Sequence, residues 1–407
     1  MSLVPVDEAI ARIVEGVSPL DVERISLNEA LGRTLAEPLA ATRTQPPFPA
    51  SAMDGYAVRA ADTKNVPARL RIVGTSPAGH GFGGTVGPGE AVRLSTGAPL
   101  PTGSDAALIK ENAEAVDEAT VIAKEPAVAG RHIRPPGLDF REGDVQLMAG
   151  RRFGVREIAI AAAMNHATVP VRRKPRIAII ATGDELVPPG VKPGPDQIVA
   201  SNGLALAGFA RLNGAEPVDL GIVIDDHAAI GAAVEEALAL PADVLITLGG
   251  ASVGDHDLVQ AALTSKGMEL DFWRIAMRPG KPLMFGRLGA TRILGLPGNP
   301  VSSVVCALLF LKPLIAALLG EAIVDPSEPA LLGGDLPEND NRQDYLRATL
   351  AIRPDGLPNA TALSRQDSSG LAILAAAGCL IIRPPHAPAA KTGDACRIIR
   401  FSGPELV

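Results

Sequence analysis

Residues 173–320 alternate between short apolar runs and stretches with helical periodicity, and this alternation restricts the fold more than any other feature. The runs RIAIIA (176–181), VLITL (244–248) and RILGL (292–296) are continuously apolar, which is typical of strands buried on both faces of a parallel sheet. A further strand is predicted at 217–221, and helices are predicted at 202–212, 227–240, 258–266 and 300–317. Strands and helices alternating at this spacing predict an open parallel α/β sheet.

The rest of the chain divides into three further units. Residues 41–142 contain short apolar runs between glycine and proline turns, which predicts an inserted β-rich module. Residues 1–40 and 143–172 flank it with helical patterns, so we expect one discontinuous helical and linker domain in which the N-terminal helix pairs with a helix near 156–165. Residues 325–407 carry short apolar runs separated by proline, glycine and aspartate, which predicts a small β domain.

Composition excludes several classes of partner. Hydrophobic residues make up 47% of the 407 residues, enough to bury several cores. The net charge of −7 argues against a general nucleic-acid binder, because neutralising phosphates needs a basic surface. Aromatic residues are only 3% of the chain, so platforms for stacking bases are also not expected.

The sequence favours a cytoplasmic protein without a membrane partner. Its three cysteines form no CxxC pair, which fits a reducing compartment. The start of the chain, MSLVPVDEAI, lacks the basic and apolar regions of a signal peptide. The most apolar segment, 301–311, is short and precedes Lys312 and Pro313, so it predicts a buried helix.

Three loops of the α/β segment carry polar or glycine residues directly after a strand. RIAIIA leads to TGDE (182–185), VLITL leads to GGASVGDHD (249–257), and RILGL leads to PGNP (297–300). In open parallel sheets, ligands bind outside the carboxyl ends of the strands, near a reversal in strand order. We therefore expect these three loops to meet at one edge of the sheet.

The PGNP loop and the segment RPGKP (278–282) both suggest an anionic ligand. Pro300 suits the first turn of a helix and Asn299 suits its cap, and the start of a helix binds phosphate through free N–H groups. Simple capping explains this loop alone, but the two neighbouring loops favour a ligand. Arg278 and Lys281 form a cationic pair framed by prolines, which suits an oxyanion, although such pairs are usually solvated.

Carboxylates in the loops suggest a divalent metal. Asp54, Glu185, Asp225 and Asp257 lie in predicted loops, and carboxylate oxygens beside a phosphate site favour Mg²⁺. Capping and turn formation are the alternative, and Asp226 in particular is expected to cap the helix at 227–240. The six histidines show no HExxH or similar spacing, which disfavours zinc.

The ordered set of motifs resembles the molybdopterin molybdenumtransferase family, MoeA, which includes the E domain of gephyrin. The motifs are SAMDGYA (51–57), STGAP (95–99), TGDEL (182–186), SNG (201–203), DD (225–226), GGASVGDHD, RPGKP and GLPGNP (295–300). The resemblance covers nearly the whole chain. It implies an elongated homodimer with the active site at the subunit interface, an α/β molybdopterin-binding domain at 173–320 and a C-terminal β-barrel at 325–407.

The resemblance also implies the reaction and the residues that serve it. Molybdate and adenylylated molybdopterin are the substrates, and Mg²⁺-dependent cleavage of the adenylate releases AMP and molybdenum cofactor. The implied catalytic set is Asp54, Thr96, Asp139, Glu185, Asp225 and Asp257, of which Glu185, Asp225 and Asp257 hold the metal and Asp54 and Thr96 reach across the dimer interface. The implied substrate-binding set is Gly249, Gly250, Ser252, Arg274, Arg278, Lys281, Pro297, Gly298, Asn299, Pro300, Arg342 and Ser368. Arg347, Arg365 and Ser369 compete with Arg342 and Ser368 as the anion-contacting pair of the barrel.

Two other functions remain open at this point. A molybdopterin adenylyltransferase shares the α/β domain with its GG and PGNP loops, but MDGYA and the C-terminal domain are typical of the transferase. A non-catalytic scaffold that binds a peptide, like the E domain of gephyrin, is the second alternative, and the retained acids argue against it. The resemblance further implies transient contact with other enzymes of molybdenum cofactor biosynthesis.

Overall fold

A computed structural model describes residues 3–249, 258–352 and 356–401 of the chain. A mixed six-stranded sheet forms the core of the α/β domain. Its strands, in spatial order, are Glu216–Val223, Arg176–Thr182, Val244–Leu248, Thr291–Leu296, Pro282–Leu288 and Glu269–Arg274. The first four run parallel, as predicted. The last two strands were not predicted. Pro282–Leu288 runs antiparallel to both of its neighbours, because a tight turn at Gly289, with φ of +59°, reverses the chain before Thr291–Leu296.

The predicted helices of the α/β domain pack against both faces of this sheet. They are Asn202–Leu212, His227–Ala239, Leu258–Ser265, Pro300–Cys306 and Lys312–Leu319, with a π-helical turn at Ala307–Leu311 that makes the last two continuous. Among the described residues, the helix Pro300–Leu319 alone is long and apolar enough to cross a membrane, but 72% of its apolar stretch is buried inside the protein. It is therefore the core helix that the sequence predicted.

The order of the parallel strands reverses beside Arg176–Thr182. The chain passes from this strand to Glu216–Val223 on one side and then to Val244–Leu248 on the other. The crevice above such a reversal is where open α/β sheets bind ligands. A short pair of strands, Leu186–Val187 and Ile198–Val199, flanks this crevice.

The N-terminal helix, Val6–Val14, packs in a different place from the one predicted. Its buried residues Val6, Ala9 and Ile13 belong to the core of the α/β domain, and it contacts Lys312–Leu319. The expected pairing with the helix Val155–Ala163 is therefore wrong. An apolar face at helical spacing predicts burial, but it does not say against which partner.

Short antiparallel pairs connect the two halves of the linker region. Val22–Ser26 pairs with Thr168–Arg172, and Leu39–Ala40 pairs with Val145–Leu147. Between them lies the inserted module, whose mixed sheet has the spatial order Ala106–Ile109, Gly55–Val58, Glu90–Leu94, Ala68–Ser76, Thr120–Ala123 and Ala113–Ala115. A further pair, Ala50–Ser51 with Ile133–Arg134, closes the base of this module. Three-residue and four-residue 3₁₀ turns occur at Leu27–Glu29, Ala60–Thr63 and Lys110–Asn112.

The C-terminal domain is a closed five-stranded barrel. Its strands, in order around the barrel, are Gln343–Ala351, Asn359–Ala362, Ser327–Leu332, Ala395–Arg400 and Cys379–Arg383, and the last pairs with the first. A short helix, Leu371–Ala376, precedes the strand Cys379–Arg383. Met277–Arg278 of the α/β domain adds to this barrel by parallel pairing with Gln343 and Asp344. Main-chain hydrogen bonds therefore fix the barrel to the RPGKP segment.

Candidate active site

The three polar loops of the α/β domain line one cavity of about 550 Å³. Thr182 and Glu185 come from the first loop, Gly249 from the second, and Pro297 from the third. The remaining lining residues are Ala181, Leu186, Ile198, Val199, Ala200, Ser201, Asn202, Gly203, Leu248, Pro282, Gly298, Asn299, Pro300 and Ser369. The predicted convergence of the loops is therefore present, and we call this cavity the α/β pocket.

Gly249 lets the backbones of two loops approach each other. Its φ is +91°, in the region that favours glycine. A Cβ atom at this position would lie 2.5 Å from the Thr182 carbonyl oxygen, which is too close for any side chain. Gly298 of the third loop is packed against Gly249 from the other side, since its own Cβ would lie 3.6 Å from the Gly249 Cα. Glycine is thus required at position 249, where the first two loops approach each other.

Asn202 connects the α/β pocket wall to the PGNP loop. Its Nδ2 donates a hydrogen bond of 2.7 Å to the Gly298 carbonyl oxygen. Asn202 and Ser201 both line the pocket, yet the sequence analysis gave them no role. The only signal was their place in the SNG motif, at the start of the helix Asn202–Leu212.

The start of the helix at Pro300 is held by the barrel domain. Asn299 does not cap this helix with its side chain. Its Nδ2 instead donates to Ser368 Oγ at 2.8 Å, and the Val301 N–H donates to the Ser368 carbonyl at 3.0 Å. Asn299 therefore stands at the predicted cap position, but its side chain bonds a residue of the barrel and makes no capping hydrogen bond. One N–H group of the helix start is also already used.

Arg278 is committed to the barrel domain. Its guanidinium binds both carboxylate oxygens of Asp344, with a distance of 2.8 Å from Nε to Oδ1. Asp344 is buried, and its hydrogen bonds raise the pKa of Arg278. Asn339 and Asp340 also lie within reach of Nη2 and Nη1. The geometry makes Arg278 a residue that positions the barrel.

Lys281 and Arg274 are less constrained. Lys281 is half-buried next to Pro282, which lines the pocket, and it has no ion-pair partner within the described part of the chain. Arg274 lies over the ring of Trp273, with 5.9 Å between the guanidinium carbon and the ring centroid. Unlike Arg278, both Lys281 and Arg274 are therefore available for an anion.

The barrel arginine beside Ser368 is Arg347. It is almost fully buried, its Nη2 donates to the Asp367 carbonyl at 3.3 Å, and its main-chain N–H donates to Gln366 Oε1. Burial lowers its pKa, and its Nε is buried without an acceptor in the described structure. Arg342 instead donates to Asp340. The structure thus brings the competing residue Arg347, and not Arg342, to the segment that carries Ser368.

Acidic side chains cluster at the edge of the pocket. Asp184 Oδ1 accepts a hydrogen bond from the Asp225 N–H at 3.1 Å, and Glu185 lines the pocket. Partial burial and the charges of Asp184 and Glu185 raise the pKa of Asp225. Asp184 was missed by the sequence analysis, because a carboxylate within TGDEL is equally compatible with a turn. The described residues contain no complete group of three metal ligands.

Asp226 has the structural role that was expected. Its Oδ1 accepts hydrogen bonds from Ala228 N at 3.0 Å and Ala229 N at 2.9 Å, so it caps the helix His227–Ala239. Three predicted positions, Gly250, Ser252 and Asp257, lie outside the described residues.

The remaining predicted residues lie on the inserted module. Asp54 Oδ1 accepts hydrogen bonds from the Thr96 N–H at 2.7 Å and from its hydroxyl at 2.8 Å. These bonds lower the pKa of Asp54, and Lys110 contributes in the same direction. Asp139 lines a separate cavity on this module. None of the three lines the α/β pocket of its own chain.

Comparison with known proteins matches three segments that make up most of the chain. Residues 4–165 match the MoeA N-terminal region (domain I and II), residues 178–317 match the probable molybdopterin binding domain, and residues 329–401 match the MoeA C-terminal region (domain IV). The chain belongs to the MoeA family. The resemblance inferred from the motifs is therefore confirmed, together with the α/β and β-barrel fold class.

Relatives and solved structures agree with this membership. The chain is 38% identical to a molybdopterin molybdenumtransferase of Nostoc sp., over 90% of this chain and 86% of the relative. It is 32% identical to that of Haemophilus influenzae, over 98% and 99%. A molybdopterin biosynthesis MoeA protein from Pyrococcus horikoshii has a TM-score of 0.83 and 30% identity, over 99% of this chain and 100% of that chain. These curated relatives are named as enzymes, so the expectation that this MoeA chain is an enzyme is also confirmed.

Proposed function

We propose that this protein inserts molybdate into adenylylated molybdopterin, cleaving the adenylate in the presence of Mg²⁺ and releasing AMP. The observation that carries the proposal is the joint between two domains at the α/β pocket, where Asn299 and Val301 bind Ser368. Ser369, next in the chain, lines the pocket, and the buried Arg347 holds the preceding residue, Asp367. The pocket itself has the glycine and helix-start features of a phosphate site.

Molybdate binds between the α/β domain and the barrel in this proposal. Lys281 supplies an available positive charge, and Ser368 supplies a hydroxyl group. Arg347 holds the segment of Ser368 and has an unused Nε, so it takes the place that the sequence analysis gave to Arg342. Arg278 acts indirectly, since its guanidinium is bound to Asp344 and fixes the position of the barrel. Arg274 is a further source of positive potential for the dianion.

The phosphates of the second substrate lie over the loops at the floor of the α/β pocket. A Cβ atom at Gly249 would meet the Thr182 carbonyl, so glycine keeps the main chain of this loop free of a side chain, and we assign Gly250, Ser252 and Gly298 to the same phosphate-binding role. Pro297 and Pro300 fix the direction of the helix start. Asn202 holds the Gly298 carbonyl in place, so it positions this loop for the substrate.

Glu185, Asp225 and Asp257 would hold Mg²⁺ at the edge of the pocket. Asp184, Glu185 and Asp225 supply the carboxylate oxygens that Mg²⁺ prefers, and Asp257 would add to them, since the described residues alone form no group of three ligands. Burial, and then the charges of Asp184 and Glu185, raise the pKa of Asp225, and a bound cation would offset this repulsion. Mg²⁺, when bound, offsets charge that develops on the phosphate of the leaving AMP. The chain's own contribution is to keep these carboxylates together through the bond from Asp225 N to Asp184.

We further propose that the enzyme is a cytoplasmic homodimer. Asp54, Thr96 and Asp139 lie on the inserted module and do not line the α/β pocket of their own chain, which supports a contribution from a second subunit. Transient contact with other enzymes of molybdenum cofactor biosynthesis would deliver the substrate.

The test is to supply adenylylated molybdopterin, molybdate and Mg²⁺ and to measure AMP. Release of AMP that depends on molybdate supports the proposal. Consumption of ATP with molybdopterin would show an adenylyltransferase, and the absence of both reactions would show a scaffold. Asp257→Asn is expected to abolish AMP release without changing the fold, and an unchanged rate would remove Asp257 from the mechanism.

A further inference from the structure

Two arginines face each other across a hairpin of the α/β sheet. In the antiparallel pair of Pro282–Leu288 with Thr291–Leu296, Arg287 lies directly opposite Arg292. The side chains of directly opposite residues lie close together on one face of a sheet, and like charges at such positions are destabilising. We call this pair the hairpin arginines, and its position calls for an opposing charge.

The hairpin arginines share one acceptor at the end of the N-terminal helix. Arg292 Nη2 donates to the Glu15 carbonyl at 3.0 Å, and Arg287 Nη2 donates to the same oxygen at 3.4 Å. Glu15 is the C-cap of the helix Val6–Val14, and cations are favourable at the end of a helix. Capping of this helix accounts for one cation, but here a single carbonyl serves two.

Other N–H groups of the same guanidiniums have no acceptor. Arg287 Nε and Arg292 Nη1 are buried and donate no hydrogen bond within the described structure. Burial, and then the charge of Arg287, lower the pKa of Arg292. Because an unsatisfied buried donor costs free energy, and more so when it is charged, helix capping alone leaves a cost that a further acceptor would reduce.

Other arginines of this region do have carboxylate partners. Arg173 donates to both oxygens of Asp243 at 2.7 and 2.8 Å, and Arg12 is paired with Asp271 at 3.1 Å. Asp243 is also next to Arg292, whose main-chain N–H donates to its carbonyl at 3.0 Å, but its carboxylate is already occupied. Among the residues that the structure describes, neither hairpin arginine has a carboxylate within 4.0 Å.

We propose that the hairpin arginines bind a tetrahedral oxyanion. Both residues are half-buried, so the ligand approaches from solvent. An oxyanion has several oxygens, which accept from both guanidiniums at once, and its charge offsets the repulsion between them. The bound anion thereby stabilises the contact of the hairpin arginines with Glu15 and holds the end of the N-terminal helix on the sheet.

This site is separate from the α/β pocket. Arg292 lies near the start of the strand Thr291–Leu296, whose other end leads into the PGNP loop. Five residues of extended strand separate the two places by roughly 15 Å. The proposal therefore adds an anion site beyond the function proposed above and does not depend on it.

Thermal unfolding and calorimetric titration of the full-length protein with inorganic phosphate test the proposal. Phosphate should raise the Tm of the wild type, because a ligand that binds only the folded state stabilises it. Arg287→Gln and Arg292→Gln should each weaken phosphate binding by about tenfold or more. Arg69→Gln should leave the affinity unchanged and is the matched control, because Arg69 is exposed on a strand of the inserted module.

Two further variants keep the test decisive. Arg292→Lys retains the charge without the planar set of donors, so it should bind phosphate more weakly than the wild type and more tightly than Arg292→Gln. It also serves if the glutamine variants fail to fold, which circular dichroism reveals. Lys281→Gln should keep the phosphate binding of the hairpin, because Lys281 belongs to the proposed molybdate site.

Three results would overturn the proposal. The first is a wild-type Tm that phosphate raises no more than sodium chloride of equal ionic strength. The second is equal phosphate affinity in the wild type and the folded hairpin variants, which would leave these arginines with helix capping alone. The third is loss of all phosphate binding in Lys281→Gln, which would place the ion in the α/β pocket.

Discussion

Asn299 Nδ2 donates a hydrogen bond of 2.8 Å to the Ser368 hydroxyl, so a helix start in the α/β domain is tied to a loop of the barrel. The Ser368 carbonyl accepts a second bond from Val301 N. Two bonds to one residue fix both its position and its orientation. Since the barrel also pairs with Met277–Arg278, the two domains meet on either side of the proposed molybdate site.

Asn299→Ala should weaken the use of molybdate. Loss of the bond leaves Ser368 held only through its main chain, and we expect KM for molybdate to rise by about tenfold, the size of one good hydrogen bond. Steady-state AMP release at varied molybdate measures this. Asn28→Ala is the control, because Asn28 is exposed in the linker region. An unchanged molybdate dependence would mean that the joint does not serve the site.

Arg347→Lys should raise KM for molybdate by about tenfold or more, whereas Arg342→Lys should leave it unchanged. A lysine keeps the charge but cannot reproduce the planar set of donors that Arg347 presents beside Ser368. Arg342 bonds to Asp340 instead, so it serves as the matched variant. Circular dichroism confirms that both variants are folded, and the opposite pattern of KM values would restore Arg342 to the anion site.

Gly249→Ala should distort the floor of the α/β pocket and abolish AMP release. Its backbone has a positive φ, and the new Cβ would also meet the Thr182 carbonyl at 2.5 Å. Gly267→Ala is the control, because Gly267 has a similar φ of +95° but its nearest neighbour would be 3.9 Å away. The control should lose about 1 kcal/mol of stability from backbone strain alone, as measured by urea unfolding, and should keep its activity. Equal effects of the two changes on activity would contradict a role for the close approach.

Asp54 should titrate below its ordinary pKa of 3.8, because the Thr96 N–H and hydroxyl stabilise its charged form. A carboxyl whose folded pKa is depressed stabilises the fold fully above its unfolded pKa, and this contribution is lost as the pH falls through the folded value. Asp54→Asn should therefore reduce stability at pH 7 and have no effect in strong acid. Carbon-detected NMR titration measures the pKa directly, and Thr96→Val should return it part of the way to 3.8. An Asp54 pKa that is unchanged in Thr96→Val would show that the hydroxyl bond does not form in solution.

Much of the α/β domain could be predicted from local patterns. Runs such as VLITL are apolar at every position because both faces of a parallel strand are buried, and the observed strand Val244–Leu248 has those bounds. The helix starts at Asn202, His227 and Pro300 also agree with the sequence. The convergence of three loops followed from topology alone, since parallel strands end at one edge of their sheet.

The tertiary structure decided which partner each residue has. Asn299 is a residue type that commonly caps helices, yet its amide bonds to Ser368, which lies 69 positions away. Arg278 and Lys281 look alike in RPGKP, yet the first is bound to Asp344 of the barrel. The resemblance implied Arg342 with Arg347 as a competitor, and only the fold of the barrel brings Arg347 to the segment of Ser368. The sequence by itself determined the elements and the chemistry of the loops, because periodicity and turn formation are local. The pairings across domains depend on contacts between distant residues, which no local pattern records.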